Sequence, residues 1–151
     1  MNQPSAILRQ ATRDDVAGLW RVRYAVTENT LAPGRIGNDE LVDQIERTGR
    51  GWVIEETREQ DGEIVAFAIG NASDGNIWAL FVDPSAQGRG HGSRLHDVMV
   101  DWLWSQGLAT LWLGTGNGTK ARGFYERHGW RDVGAYGERE RRYELTRPVA
   151  R

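Results

Sequence analysis

The sequence contains no cysteine. That excludes disulfides, thiolate metal sites and a cysteine-linked covalent intermediate, and it fits a reducing cytoplasm. Histidine is scarce. The chain has three, His91, His96 and His128, and none stands in an HExxH or similar ligand spacing, so no metal is expected. No apolar run approaches the roughly 18 residues that a spanning helix needs. The opening MNQPSAILRQATRDD lacks the apolar core of a secretory signal. An excess of positive charge is missing too. Lys and Arg number 19 against 21 Asp and Glu, with a net charge of −2. A nucleic-acid partner is therefore not expected, nor a membrane one. Charges of both signs are interspersed, as on a solvated surface. There is no internal repeat, low-complexity tract or linker, so residues 1–151 read as a single domain large enough for a core.

Against these absences stand seven tryptophans, whose first role is core mass and whose second is to line a pocket. Residues 6–11 alternate weakly, as a strand does. Thr12 precedes Asp15 at capping-box spacing and opens a helix, with Val16, Leu19, Trp20 and Tyr24 as its expected buried stripe. Asn38 is expected to cap a second helix, with Asp39 and Glu40 in its first turn. GWVIEET and EIVAFAIGNA read as a hairpin across REQDG. After the turn signal Asp74-Gly75, NIWALFV reads as the next strand. A helix from about Gly90 to Gln106 follows, with Leu95, Val98, Met99, Trp102 and Leu103 on one face. LATLWLGT is a strand, GTKARGFYERHG carries a short helix, and WRDVGAY with RRYELT form a closing hairpin. Strand–helix–strand over 76–114 implies a parallel pair. The expected class is α/β (mixed α+β), with a single twisted mixed sheet of about six to seven strands flanked by helices.

The densest feature is Gln87-Gly-Arg-Gly-His-Gly92, between a hydrophobic strand and a long helix. A helix N-terminus leaves amides unpaired and carries partial positive charge. Glycines there let the backbone approach an anion. Residues Gln87 to Ser93 therefore suit a phosphate or pyrophosphate, with Arg89 as a charge-assisted contact. The alternative is a tight turn with no ligand. Two familiar anion motifs fail. There is no Gly-Lys pair for a P-loop, and the last glycine of GxGxxG falls on Ser93 or Leu95. A GxSxG nucleophile elbow is also missing.

Gln87, Gly90 and Gly92 resemble the Q/R-x-x-G-x-G/A motif of the GNAT superfamily of N-acetyltransferases. Ala121, Phe124, Tyr125, Gly129 and Trp130 resemble its A-x-x-F-Y-x-x-x-G-F/W segment, and the order of elements fits. The resemblance covers essentially the whole chain, more weakly before residue 50. It implies acetyl-CoA as co-substrate, its pyrophosphate held by Gln87, Gly88, Arg89, Gly90, His91, Gly92 and Ser93. It also implies that the acyl-carrying arm lies between two parted parallel strands, beside Leu80, Phe81 and Val82. The family often has Asn seven residues before the tyrosine. Gly118 stands there, so Asn117, Thr119 or a backbone group would hold the arm beside Ala121.

The reaction implied is direct attack of a neutral amine on the thioester. The Val82 amide would receive the carbonyl oxygen. Tyr125 would protonate the departing thiolate; the other role open to it is that of a buried aromatic beside Phe124. Glu28 is the first candidate base, with Glu40, Asp83 or a water chain as alternatives. Arg23, Glu28, Asn29 and Trp78 would shape the acceptor pocket. Glu28 would favour a cationic amine, and Arg23 and Arg35 a carboxylate. A small-molecule acceptor is expected. The alternatives are a non-catalytic acyl-CoA-binding sensor and a lysine or N-terminal protein acetyltransferase. An exposed sheet edge and the tryptophan surplus make a homodimer reasonable.

Overall fold

The computed structural model describes residues 5–26, 37–58, 61–116 and 119–149. Seven strands and four α-helices follow in the order β1 (Ala6–Gln10), α1 (Val16–Ala25), α2 (Asn38–Asp43), β2 (Gly49–Arg58), β3 (Asp61–Asn71), β4 (Ile77–Val82), α3 (His91–Ser105), β5 (Thr110–Gly116), α4 (Lys120–Arg127), β6 (Arg131–Tyr136) and β7 (Glu140–Thr146). Among the described residues no helix is long and apolar enough to cross a membrane.

β1 to β4 form an antiparallel meander, and β5, β7 and β6 form a second sheet in that order. β2 and β3 are buried on both faces, and their alternation sorts the core into two layers. Trp52, Ile54, Ala66 and Ala68 meet Leu95, Met99 and Leu103 of α3. Val53, Phe67 and Ile69 meet Leu19 and Val22 of α1 and Leu41 of α2. Each fully buried aliphatic here contributes about 1.5–3 kcal/mol. Gly70 lets α3 lie this close, since a Cβ there would stand 3.0 Å from Leu103 and 3.1 Å from Met99.

The chain enters α1 as its sequence dictates. Thr12 and Asp15 close a capping box around a single 3-10 turn. Asp15 also takes both ends of the Arg9 fork, at 2.9 and 2.8 Å. The face that α1 buries differs from expectation. Leu19, Val22 and Arg23 are buried, whereas Tyr24 is half exposed and stacks on Trp20. The apolar spacing allowed either stripe, and packing on β3 and β4 selected the one carrying Arg23. Asn38 is likewise not the cap of α2. Gly37 holds that place, and the Asn38 side-chain oxygen instead accepts from the Trp20 indole at 2.7 Å.

The two sheets meet at one end. Asn76 and Trp112 make an isolated parallel bridge, with the Trp112 amide donating to the Gly75 carbonyl at 3.0 Å. Gly75 has φ +80°, and a Cβ there would stand 2.7 Å from the Thr110 carbonyl. Past this point the ladder stops among the described residues, and β4 and β5 part. The seven strands therefore hold a wedge-shaped opening between two edges that would otherwise pair.

Candidate active site

Beside the free edge of β4 lies a cleft of about 420 Å³. One wall is β4, through Leu80, Phe81 and Val82. The second is the loop from Gln87 into α3, with Gly88, Gly90, His91, Gly92 and Ser93. The third is α4, through Lys120, Ala121, Phe124, Tyr125 and Arg127, and Val26 after α1 completes the lining. Eleven of the residues named for this site from the sequence alone thus meet around one cavity.

The free edge of β4 presents main-chain donors. The Asp83 amide donates to the Val65 carbonyl at 2.8 Å, so by strand alternation the Phe81 amide also faces β3. The amides of Leu80 and Val82 then point the other way, into the opening. At the loop, Gly88 and Gly90 adopt φ +80° and +81°, and nothing in the protein lies within 4 Å of a Cβ built on either. Both glycines line the cleft. Gly90 is also the N-cap of α3.

Charged side chains around this loop are satisfied from behind. Glu56 of β2 is almost wholly buried. Both of its carboxylate oxygens lie 2.6 Å from Nη1 of Arg89, and it accepts from His91 Nε2 at 2.8 Å. The His91 Nδ1 atom is buried with no hydrogen-bond partner. Arg89 is therefore anchored to the sheet and does not line the cleft, although its position in the motif pointed to a phosphate contact. The His128 Nδ1–H donates to the Phe124 carbonyl at 2.8 Å. In the neutral ring Nε2 then accepts from the Ser93 hydroxyl at 3.1 Å. Trp130 Nε1 donates to His96 Nε2 at 3.0 Å, so the proton of His96 sits on Nδ1, facing Asp97 at 2.9 Å. Burial holds the His96 pKa below its usual value. Ligand atoms of His96, Asp97 and His128 lie within 4.8 Å of one another, but both His96 nitrogens are already engaged.

Tyr125 lies on α4 and is 7 % exposed. The helix is fixed at its end by the Trp130 amide on the Tyr125 carbonyl. On its other side Tyr143 of β7 donates to Glu126 at 2.6 Å and accepts from Arg122 at 3.0 Å. Burial alone raises the Tyr125 pKa, so the phenol keeps its proton at neutral pH and is a weaker acid than a free tyrosine. Phe124 packs across the loop, with its ring 3.3 Å from where a Gly92 Cβ would stand.

Other residues singled out from the sequence lie elsewhere. Trp78 packs against the layer under α1 and is not part of the cleft wall. The Thr119 hydroxyl donates to the Gly116 carbonyl at 3.1 Å, which ties it to β5. Asp83 accepts from the Ser85 amide and hydroxyl at 2.9 and 2.7 Å. Arg23 lies under α1 against Phe81. Glu28, Asn29, Arg35, Asn117 and Gly118 lie outside the described residues. Lys120 and Arg127 were missed, although their i and i+7 spacing about Phe124 marks one face of α4. Glu56 gave no signal, because its partners stand 33 and 35 positions away.

The model of the acetyltransferase (GNAT) family matches residues 15–130. The chain belongs to this family. It is similar to the mycothiol acetyltransferase of Beutenbergia cavernae, being 33% identical over 91 residues, which make up 58% of this chain and 30% of that protein. The match therefore spans less than a third of that relative. In three dimensions this family member is similar to the PaiA N-acetyltransferase of Thermoplasma acidophilum, determined in complex with coenzyme A. The TM-score is 0.78 at 14% identity, covering 95% of this chain and 99% of that one. The N-acetyltransferase of Staphylococcus aureus gives a TM-score of 0.71 at 19% identity, covering 94% and 98%. At these identities the likeness concerns the fold.

Proposed function

We propose that this family member transfers the acetyl group of acetyl-CoA to the amine of a small-molecule acceptor by direct attack. One observation carries the reading: the free edge of β4, the glycine loop and Tyr125 of α4 line the same cavity. Amides of the Gly88–Ser93 loop suit the diphosphate, since they are unpaired donors at a helix N-terminus. The outward amides of Leu80 and Val82 suit the amide groups of the pantetheine arm, which would lie along β4 as an added strand does.

In the reaction, the amine nitrogen forms a bond to the thioester carbon and the carbon–sulfur bond breaks. The carbonyl oxygen gains charge and accepts from Val82 N–H. The departing sulfur takes its proton from Tyr125, and the amine's surplus proton leaves through water at the cleft mouth. Burial keeps the phenol protonated but also disfavours the phenolate that the transfer creates, so the donor role rests on the place of Tyr125 in the cleft lining and not on its acidity.

The test is thiol release from acetyl-CoA over a panel of amines. Acceptor-dependent release that falls in Tyr125→Phe supports the reading. Tight acetyl-CoA binding with no turnover on small amines, peptides or proteins would make the chain an acyl-CoA sensor instead. Turnover of peptides or proteins alone would move the acceptor from small molecule to polypeptide.

A further inference from the structure

Among the described residues Arg23 is the only buried arginine, at 8 % exposure. Its guanidinium carbon lies 4.6 Å from the centroid of the Phe81 ring, and its Nη1 atom is buried with no hydrogen-bond partner. Among the described residues no carboxylate is paired with it. The contrast within the molecule is sharp. Arg9 has Asp15 and Glu55, Arg89 has Glu56, and Arg122 has Asp132, although each of these arginines is more exposed. A buried cation is ordinarily retained only when paired, because removing it from water costs far more than a ring face returns. On the inner face of α1, between Leu19 and Phe81, a leucine or methionine would pack without that penalty. Burial indeed lowers the Arg23 pKa, and no carboxylate opposes the shift.

Its place gives the arginine a use. Phe81, on which it rests, lines the cleft, and so does Val26, one helical turn beyond it. Arg23 stands on the α1 side of β4. The glycine loop, α3 and α4 stand on the other side, with the donors suited to a diphosphate. Arg23 is not itself in the cleft lining, so a substrate group in the cleft reaches it past Phe81. The fork of an arginine matches a carboxylate in two parallel hydrogen bonds.

We infer that the acceptor carries a carboxylate as well as its amine, as an amino acid or a short peptide does, and that Arg23 binds that carboxylate. The inference rests on the acetyl-transfer reading above and names the substrate class of the same site. Arg23 acts as a specificity residue, fixing which amines are delivered, while the amides and Tyr125 act on the thioester.

The experiment compares matched acceptors on the full chain: L-amino acids, their methyl esters, their decarboxylated amines, and dipeptides. Wild type is expected to favour acids over the matched esters and amines by about tenfold or more in kcat/KM, chiefly through KM. Free amino acids outrunning dipeptides, or the reverse, decides between the two carboxylate sources. Arg23→Met should erase that preference and leave acetyl-CoA affinity intact. Arg23→Lys should keep part of it, having the charge without the fork.

A second readout needs no turnover. N-acetyl-amino acids with CoA should raise the melting temperature of wild type and not of Arg23→Met. The unliganded Arg23→Met protein should melt no lower than wild type, since it loses an unpaired buried charge. Esters and decarboxylated amines used as well as the acids would overturn the inference while leaving acetyl transfer standing. So would the failure of every carboxylate to shift the wild-type melt. Failure of acetyl-CoA itself to bind would instead remove the acetyl-transfer reading, and the carboxylate melts would still decide the role of Arg23.

Discussion

The two faces of β4 solve opposite problems with opposite means. On the α3 and α4 side, charged side chains are tied to one another behind the loop, as Glu56 is to Arg89 and His91. What remains for a ligand along the loop is backbone, with Lys120 and Arg127 of α4 across the cleft. On the α1 side the wall is apolar, through Phe81 and Val26, and behind it stands Arg23, whose buried Nη1 has no hydrogen-bond partner. The first face suits a group that is the same in every reaction of its kind, for which rigid amides serve whatever the neighbouring sequence. The second suits a group that must be distinguished from others, which takes a side chain.

The largest effect expected concerns the residue between these faces. Tyr125→Phe should lower kcat by about 10²- to 10⁴-fold, the range for loss of a general acid. Stability should hold, because no hydrogen bond to the hydroxyl is made among the described residues and burial alone shifts it. A thermal melt beside the rate assay separates the two. If Tyr125 is only a packing aromatic, both quantities stay near wild type.

Next comes Glu56→Ala. It removes the one carboxylate that, among the described residues, answers Arg89 and His91, and breaking a buried pair from one side costs about 3–5 kcal/mol. Urea unfolding should show that loss. A cost below about 1 kcal/mol would mean that the loop does not depend on its backing. Gly90→Val follows. A branched side chain at φ +81° strains the backbone by roughly 1–2 kcal/mol and fills the cradle. Acetyl-CoA affinity should drop about 100-fold by calorimetry, equal to about 2.7 kcal/mol. Unchanged affinity would break the claim that bare amides do the holding.

The smallest effect is acid sensitivity far from the cleft. Asp15 has its pKa lowered, first by the hydrogen bonds from Arg9. A folded pKa below the unfolded value of about 3.9 stabilises the protein above that pH, and the contribution disappears as pH falls through the folded value. Asp15→Asn should therefore destabilise at neutral pH by about 1–3 kcal/mol and flatten the stability curve below pH of about 4. A mutant curve parallel to wild type would assign the acid loss to other carboxylates.

The same contrast explains what could be read from the chain. The glycine loop and α3 were legible because their signals are local. Gly90 caps the helix and Gln106 ends it, at the bounds that periodicity gave. Gln87 to Ser93 and Ala121 to Tyr125 fell together because motif spacing fixes main-chain geometry. The rest was set at long range. Which stripe of α1 turned inward depended on β3 and β4, and the local pattern favoured Tyr24 over Arg23. Arg89 swung to a carboxylate 33 residues away. Asn38 gave up a cap for an indole on another helix. The halves of the sheet were expected to part at β4 and β5, but where the ladder stops depends on Asn76, Trp112 and the close approach at Gly75.

The most direct test of the account is a titration of the isotope-labelled protein with acetyl-CoA, followed through its amide resonances. The amides of Gly88, Gly90, Gly92 and Ser93 should show the largest shifts, with Leu80 and Val82 close behind, while residues of β6 and β7 stay fixed. Saturable binding that leaves the loop amides unmoved, or no binding by folded protein, would contradict it.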